Sequence, residues 1–513
     1  MSTPVQGLQF PLQPNQTQPS SSRLGRSILA AALSNVDSDA SLQVKSEKKW
    51  RKKYPIHFKN LVKYGLNSSQ AAIQIAQDGL NHAHEQFEFY RDGEKCTLKD
   101  VMSLETQPLE TFTLQGSSNA APEWYVPYQG KKLSGNALLT QIQSWQDRGI
   151  VEVSHADALR ECISHPEWFD LSDRTCVLFG AASEAGPLTW LAKWKANIVA
   201  VDLPNTRVWT KILETVSTGN AKLYAPSMEK LADNCSFETL KEKLGANLLT
   251  QIPEIAQWLS QFEQNLDLAA IAYLDGEKHV RVSMAMDTIM KYVSEQKSNT
   301  TLMYMCTPTD VYAVPQEVIH ASRDKFQQRS TTHALLSKGI SSISRQHFFK
   351  RSDCELIAST KQSYGICDCL VVEQGPNYAL AKRIQQWRAI LARENGQRVS
   401  INIAPSTTTH SVTKNPLLKA AFNGAKLFDV EAFAPETTNA IMAALWVHDL
   451  RNDASVANPF VALNHPLELM MHGANHGGLW RVAYLARTAL PFAALYGFAE
   501  EKLPKGLLKK WAK

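Results

Sequence analysis

Apolar residues recur along this chain with two different periods, and the change between them falls near Thr175. From residue 23 to about 170 the spacing is helical in pieces, as in SSQAAIQIAQDGLNHAHEQFEFY and SGNALLTQIQSWQDRGIVEVSHADALRECISHPEW, joined by polar and proline-containing stretches. Beyond Thr175 short apolar runs alternate with helical segments. The runs TCVLFG, NIVAVD, AKLYAP, LAAIAYL, TLMYMC and RVSINIAP read as strands, and YALAKRIQQWRAILAREN reads as the helix before the last of them. This alternation predicts an α/β fold with a doubly wound parallel sheet and a mainly helical N-terminal extension. No internal repeat of fixed period accompanies it.

The pattern divides the 513 residues into a disordered tail at 1–22, a mainly helical extension at 23–170, a nucleotide-binding-type domain at 171–450 and a hydrophobic, helical extension at 451–513. A net charge of +5 and 20% charged residues give no nucleic-acid signature. The basic run KSEKKWRKKYPIHFK reads as a solvated helix face, with an anionic surface as the alternative. Eight scattered cysteines suggest neither a disulfide framework nor a zinc ribbon, which fits a reduced, cytoplasmic protein. The tail lacks an apolar secretory core; an organellar transit peptide is the less favoured reading. Near the C-terminus LWRVAYLARTALPFAALYGFA is broken by Arg481, Arg487 and Pro491, so it predicts helices over a core rather than a membrane span.

Two constellations carry candidate chemistry. In FGAASEAGPLTW a glycine-containing turn, Gly180 to Gly186, joins a strand to a helix, which allows backbone to approach a pyrophosphate. Asp202, ending the next strand, suits the ribose hydroxyls of NAD(H) and would repel the extra phosphate of NADP(H); Arg207 nearby keeps NADP(H) open. In NYALAK the i, i+4 spacing puts Tyr378 and Lys382 on one helix face, where an ammonium would favour phenolate.

The run NYALAKRIQQWRAILARENGQRVSINIAP resembles the catalytic helix and following strand of the short-chain dehydrogenase/reductase superfamily. Asn377, Tyr378, Ala379, Lys382, the LARE of Leu391 to Glu394 and Pro405 match that pattern in order and spacing, and FAPETTNAIMAALWVHD resembles a later family helix. The resemblance implies a Rossmann-like fold and an NAD(P)(H)-dependent oxidoreductase interconverting a carbonyl and an alcohol. It implies Tyr378 as general acid/base, with Lys382 lowering its pKa and holding the nicotinamide ribose. Gly180, Ala181, Ser183 and Gly186 would line the pyrophosphate turn and Asp202 the adenosine ribose. Pro405, Thr407 and Thr408 would lie beside the nicotinamide.

Four departures from the family pattern stand out. Glu184 replaces the middle glycine of the turn, AYLDG replaces the usual N-N-A-G, and Ser406 follows Pro405. The catalytic serine has no counterpart at the usual spacing, because an insertion of about 308–362 intervenes. Its substitutes are Ser363, by distance from Tyr378, and Thr307 or Thr309, by position at a strand end. The insertion, basic and helical in pattern, would cap a substrate pocket or form a homo-oligomer contact. His465, His472 and His476 lie close together, and ordinary polar or helix-end roles are expected of them rather than a metal. The apolar C-terminal region points to a lipid-like or polyketide-like small-molecule substrate. The rival readings are a non-catalytic binding or assembly protein on the same scaffold, and a peripheral membrane or carrier-protein partner using the basic stretches at 45–59 and 323–351.

Overall fold

The computed structural model describes residues 6–12, 18–352, 355–358 and 363–502. Short apolar runs rich in β-branched residues suit strands covered on both faces. The chain is a mixed α/β protein with a seven-stranded sheet: β1 Glu110–Gln115, β2 Thr175–Phe179, β3 Asn197–Val201, β4 Lys222–Ser227, β5 Leu266–Ala270, β6 Thr301–Cys306 and β7 Val399–Ile403. Their order is β7-β6-β5-β2-β3-β4-β1. β2 to β7 run parallel, and β1 pairs antiparallel with β4 at the edge. After the edge strand β1, the parallel part starts at β2, steps outward to β3 and β4, and returns to β5 on the other side of β2. A crevice therefore opens at the C-terminal ends of β2 and β5, where the order reverses.

Each of the six expected strands is present. LAAIAYL is shifted: β5 stops at Ala270, paired with Phe179, where Gly180 at positive φ turns β2 away. β1 went unread because ETFTLQ is mostly polar and buries only Phe112. Residues 6–12, inside the stretch expected to be a tail, form a strand at Gly7–Gln9 on Glu88–Arg91, and Leu8 and Phe10 are buried. Residues 1–5 and 13–17 of that stretch lie outside the described residues, as do 353–354 and 359–362 of the insertion and 503–513 of the C-terminal extension. The insertion carries helices at Gln316–Gln327 and Thr331–Ile343. It also contributes to a second, antiparallel sheet of Val311–Pro315, Glu355–Ala358 and Ser363–Asp368. Seven described cysteines are all free thiols.

Three helices lock the sheet's flank. α1 (Ser69–Gln86), α2 (Glu277–Gln296) and α3 (Gly375–Glu394) meet at Asp287, which is 3% exposed. Arg388 donates to its carboxylate in a fork at 2.6 and 2.8 Å, and His84 lies 2.7 Å away. Gly79 lets α1 close on α3, since a Cβ there would stand 2.4 Å from the Trp387 ring. Burial alone would raise the Asp287 carboxyl, but Arg388 and His84 outweigh it and hold it well below the usual carboxylate range. A depressed carboxylate stabilises the fold above its unfolded pKa and loses that contribution as pH falls. Asp287→Ala, which strands a buried guanidinium, is expected to cost about 3–5 kcal/mol in urea unfolding at neutral pH. The gap between wild type and variant should shrink as the pH is taken below about 4.

Candidate functional site

A cleft of about 1510 Å³ opens at the C-terminal ends of the parallel strands. Gly180 after β2, Asp202 after β3, Ala272 after β5, Thr307 after β6 and Pro405 after β7 all line it, and Tyr378 and Lys382 of α3 close one wall. Pockets for a single drug-sized ligand measure roughly 300–1,000 Å³, so this cleft has room for two molecules side by side.

The glycine turn is tight. Gly180 adopts φ +88, and a Cβ on it would lie 2.5 Å from the Ala272 Cα, so glycine is required twice over. The turn's amides are partly spent internally: Ser183 N–H donates to Gly180 and Gly186 N–H to Ser183. Ala182 N–H and Leu203 N–H donate to the two oxygens of Asp202 at 2.9 and 2.8 Å. Burial raises the Asp202 carboxyl, and these amides work against it. Lys211 reaches the Ala182 carbonyl at 2.9 Å and brings a positive charge to the turn. The expected helix beyond the turn is only Leu188–Leu191, too short to supply a helix dipole. Glu184 points across the cleft, its carboxylate accepting from the His410 backbone N–H at 2.9 Å. The carboxylate is thereby turned away from the backbone of the turn.

Tyr378 and Lys382 project from the first two turns of α3, where Pro376 at the helix start fixes the backbone without losing a hydrogen bond. Their coupling differs from the expectation. Lys382 Nζ donates to the Met305 carbonyl at 2.9 Å and to Gln385 at 3.3 Å. Burial pushes the Tyr378 phenol up to about 12, against a lowering hydrogen bond with Thr307. Lys382 is itself lowered by burial, opposed by Cys306 and Asp310. Burial, and not Lys382, sets the direction of the Tyr378 shift. Behind the pair, buried Asp310 takes Arg383 at 3.0 Å and Gln386 at 2.9 Å, which fixes the β6 exit against α3.

Thr307 is the hydroxyl beside Tyr378; it also contacts the Thr309 hydroxyl at 2.8 Å. Ser363 does not line the cleft. It begins a strand whose other end, Asp368, pairs with Val311, and five residues of strand separate the two by about 17 Å. Among the loop residues, Pro405 and Thr407 line the cleft, with Thr407 Oγ1 bonded to Pro405 and Thr438. Thr408 is turned away onto the Phe433 carbonyl. Ala181 is in the core, and Gly186 packs under Ile271 rather than facing the cleft. Of the described residues of the insertion, only Pro308 and Thr309 reach the cleft; its body braces the C-terminal wall, with Arg329 on the Tyr484 hydroxyl at 2.6 Å.

Two further features shape the cleft. His279, in the first turn of α2, lines the cleft and stacks on Tyr378 with ring centroids 5.4 Å apart. Its signal is absent from local sequence, because it depends on α2 lying against α3. The second is an apolar arm between α4 (Pro416–Gly424) and α5 (Ala486–Lys502), lined by Leu418, Phe428, Val482, Leu490 and Ala493. Gly424 and Gly497 bring those helices together, each too close to a facing carbonyl to carry a Cβ. The clustered histidines serve structure: His465 accepts from Leu467 N–H, and His476 pairs with Glu152 at 2.7 Å. No helix among the described residues is long and apolar enough to cross a membrane.

No model of a known protein family matches the chain, and no curated protein matches it either.

Gly180→Ala is expected to destabilise the protein by about 1–3 kcal/mol through a strained φ and a backbone clash. Gly186→Ala, whose nearest neighbour is the movable Ile271 tip at 3.0 Å, should cost less. Denaturant midpoints of the two variants check the order.

Proposed function

We propose that the cleft is the site of a nicotinamide-dependent oxidoreductase of the short-chain dehydrogenase/reductase type, interconverting a carbonyl and an alcohol on a substrate with an apolar body. The observation that carries this reading is the convergence of Tyr378, Lys382 and the Thr307 hydroxyl on the same cleft as the Gly180 turn and Asp202. The strand order, reversing between β2 and β5, is the order of a doubly wound, Rossmann-like sheet and supports it further.

The residues fit a nicotinamide nucleotide unevenly. Lys382 retains donor capacity for a ribose, and Asp202, already satisfied by two backbone amides, retains lone pairs for ribose hydroxyls. The pyrophosphate would rely on the turn's backbone and Lys211 rather than on a helix dipole. When bound, the nicotinamide supplies or accepts the hydride. Tyr378, held as the neutral phenol by its raised pKa, donates its proton to the carbonyl oxygen in reduction, while Thr307 stabilises the phenolate left behind. The apolar arm takes the substrate's body, at about 0.8 kcal/mol for each buried methylene.

Calorimetric titration of the full chain with NADH and NADPH tests this. NADH should bind, and more tightly than NADPH by about tenfold because of Asp202. Tyr378→Phe should keep NADH binding and lose about 10² or more in the rate of ketone reduction. Chain-lengthening of a 2-alkanone by four methylenes should raise kcat/KM by at least about tenfold.

A second reading, a binding or assembly protein on the same scaffold, is favoured by one observation: the turn spends its amides internally, with Glu184 tied to His410 and only a four-residue helix behind. Absence of binding to both nucleotides at high micromolar concentration would select it.

A further inference from the structure

We infer that His279 is a ligand-binding residue of the cleft, its imidazole hydrogen-bonding an alcohol-type hydroxyl of the bound molecule beside Tyr378. The side chain is 2% exposed, and neither ring nitrogen has a partner among the described residues. Among the other buried histidines, His155 pairs with the Gly473 carbonyl at 2.9 Å, His476 with Glu152 and His465 with Leu467 N–H, each through at least one nitrogen, while His57 has a carboxylate, Glu47, 3.5 Å away. An orphaned buried polar group costs stability, so its retention calls for a partner that the fold itself does not supply. His279 lines the cleft, and its ring is held in place between Tyr378 at 5.4 Å and Tyr273 at 4.7 Å.

The surroundings select the chemistry of that partner. Lys382 is the charged group that acts on the ring from α3, and no carboxylate does so. Burial and Lys382 together hold the imidazole neutral, with its pKa well below the ordinary value. A neutral imidazole offers one N–H and one lone pair, the complement of a hydroxyl, which both donates and accepts. A phosphate or carboxylate would be matched by a charged ring, which this setting disfavours. A metal would need further ligands, and no group of three His, Cys, Asp or Glu side chains able to hold one occurs among the described residues. The hydroxyl has two sources in the proposed reaction, the ribose of the nucleotide or the substrate itself. This inference rests on the proposed function for the first source alone; the second needs only that the cleft binds an apolar alcohol.

The test uses the full chain and three hydrogen-bond states of the position. His279→Phe keeps a stacking ring without polar atoms, His279→Leu removes ring and polarity, and His279→Gln keeps a donor and an acceptor. Without ligand, His279→Phe should unfold at the same temperature as wild type or higher, since an orphaned group has been removed; a residue with a purely structural role would show a loss. Calorimetry then compares NADH in one arm, and decane-1,3-diol against 1-decanol in the other. The expected result is a loss of about three- to tenfold, either in NADH affinity or in preference for the diol, in the Phe and Leu variants, with partial recovery in Gln. Loss in the first arm assigns the ribose and loss in the second the substrate. If wild type prefers the diol but ignores both nucleotides, the nicotinamide reading falls and the His279 assignment stands. Unchanged affinities in both arms for the Phe and Leu variants, or no binding of any probe to wild type, would overturn it.

Discussion

The placement of His279 against Tyr378 in the cleft depends on the buried contact of Asp287 with Arg388 and His84. It fixes α2 against α3, and α1 against both, with a carboxylate and a guanidinium that cannot move apart without leaving a buried charge unpaired. His279 lies eight residues before Asp287 and Tyr378 ten before Arg388, about 12 and 15 Å back along their helices. Both helices begin on the cleft side of the sheet. A slip of one turn at the Asp287 contact would separate the imidazole from the phenol. Closer to the site, Asp310 with Arg383 and Gln386 repeats the arrangement between β6 and α3.

Desolvation dominates the electrostatics of the cleft. It raises Tyr378, lowers Lys382 and lowers His279, so the three groups are held toward their neutral forms. A cleft of this kind favours chemistry in which a neutral phenol gives up a proton and a neutral ring offers a hydrogen bond. It disfavours binding of isolated anions away from Lys382, Lys211 and the backbone of the turn. Glu184, bonded to His410, links the glycine turn to the loop after β7 across the cleft, and any ligand passing beneath it is enclosed from that side.

Much of this was legible in the sequence where a signal is local. Six largely buried strands announce themselves by short, mainly apolar runs, and the Tyr378 and Lys382 pair by its spacing on one helix. What was not legible depends on contacts between distant segments. β1 hides in a polar stretch because its edge position needs only Phe112 inside. Ser363 has the right distance from Tyr378 along the chain, yet belongs to a second sheet whose strand carries it away, whereas Thr307 follows directly from β6. A helix follows Gly186 as the sequence suggests, but it is short. It stops after one turn, where Trp190 and Trp194 bury against Tyr125 and Phe169 and Lys195 turns to φ +56. His279 carries no local signal of any kind.

The central claim is that Tyr378, Lys382 and Thr307 form the reaction centre of a nucleotide-dependent enzyme. The most direct measurement is a crystal structure of the full chain grown with NADH. The account predicts nicotinamide ribose within hydrogen-bond distance of Lys382 Nζ, the nicotinamide ring beside Tyr378 and Thr307, and adenosine ribose at Asp202. Nucleotide bound elsewhere, or a cleft empty at saturating NADH, would contradict it.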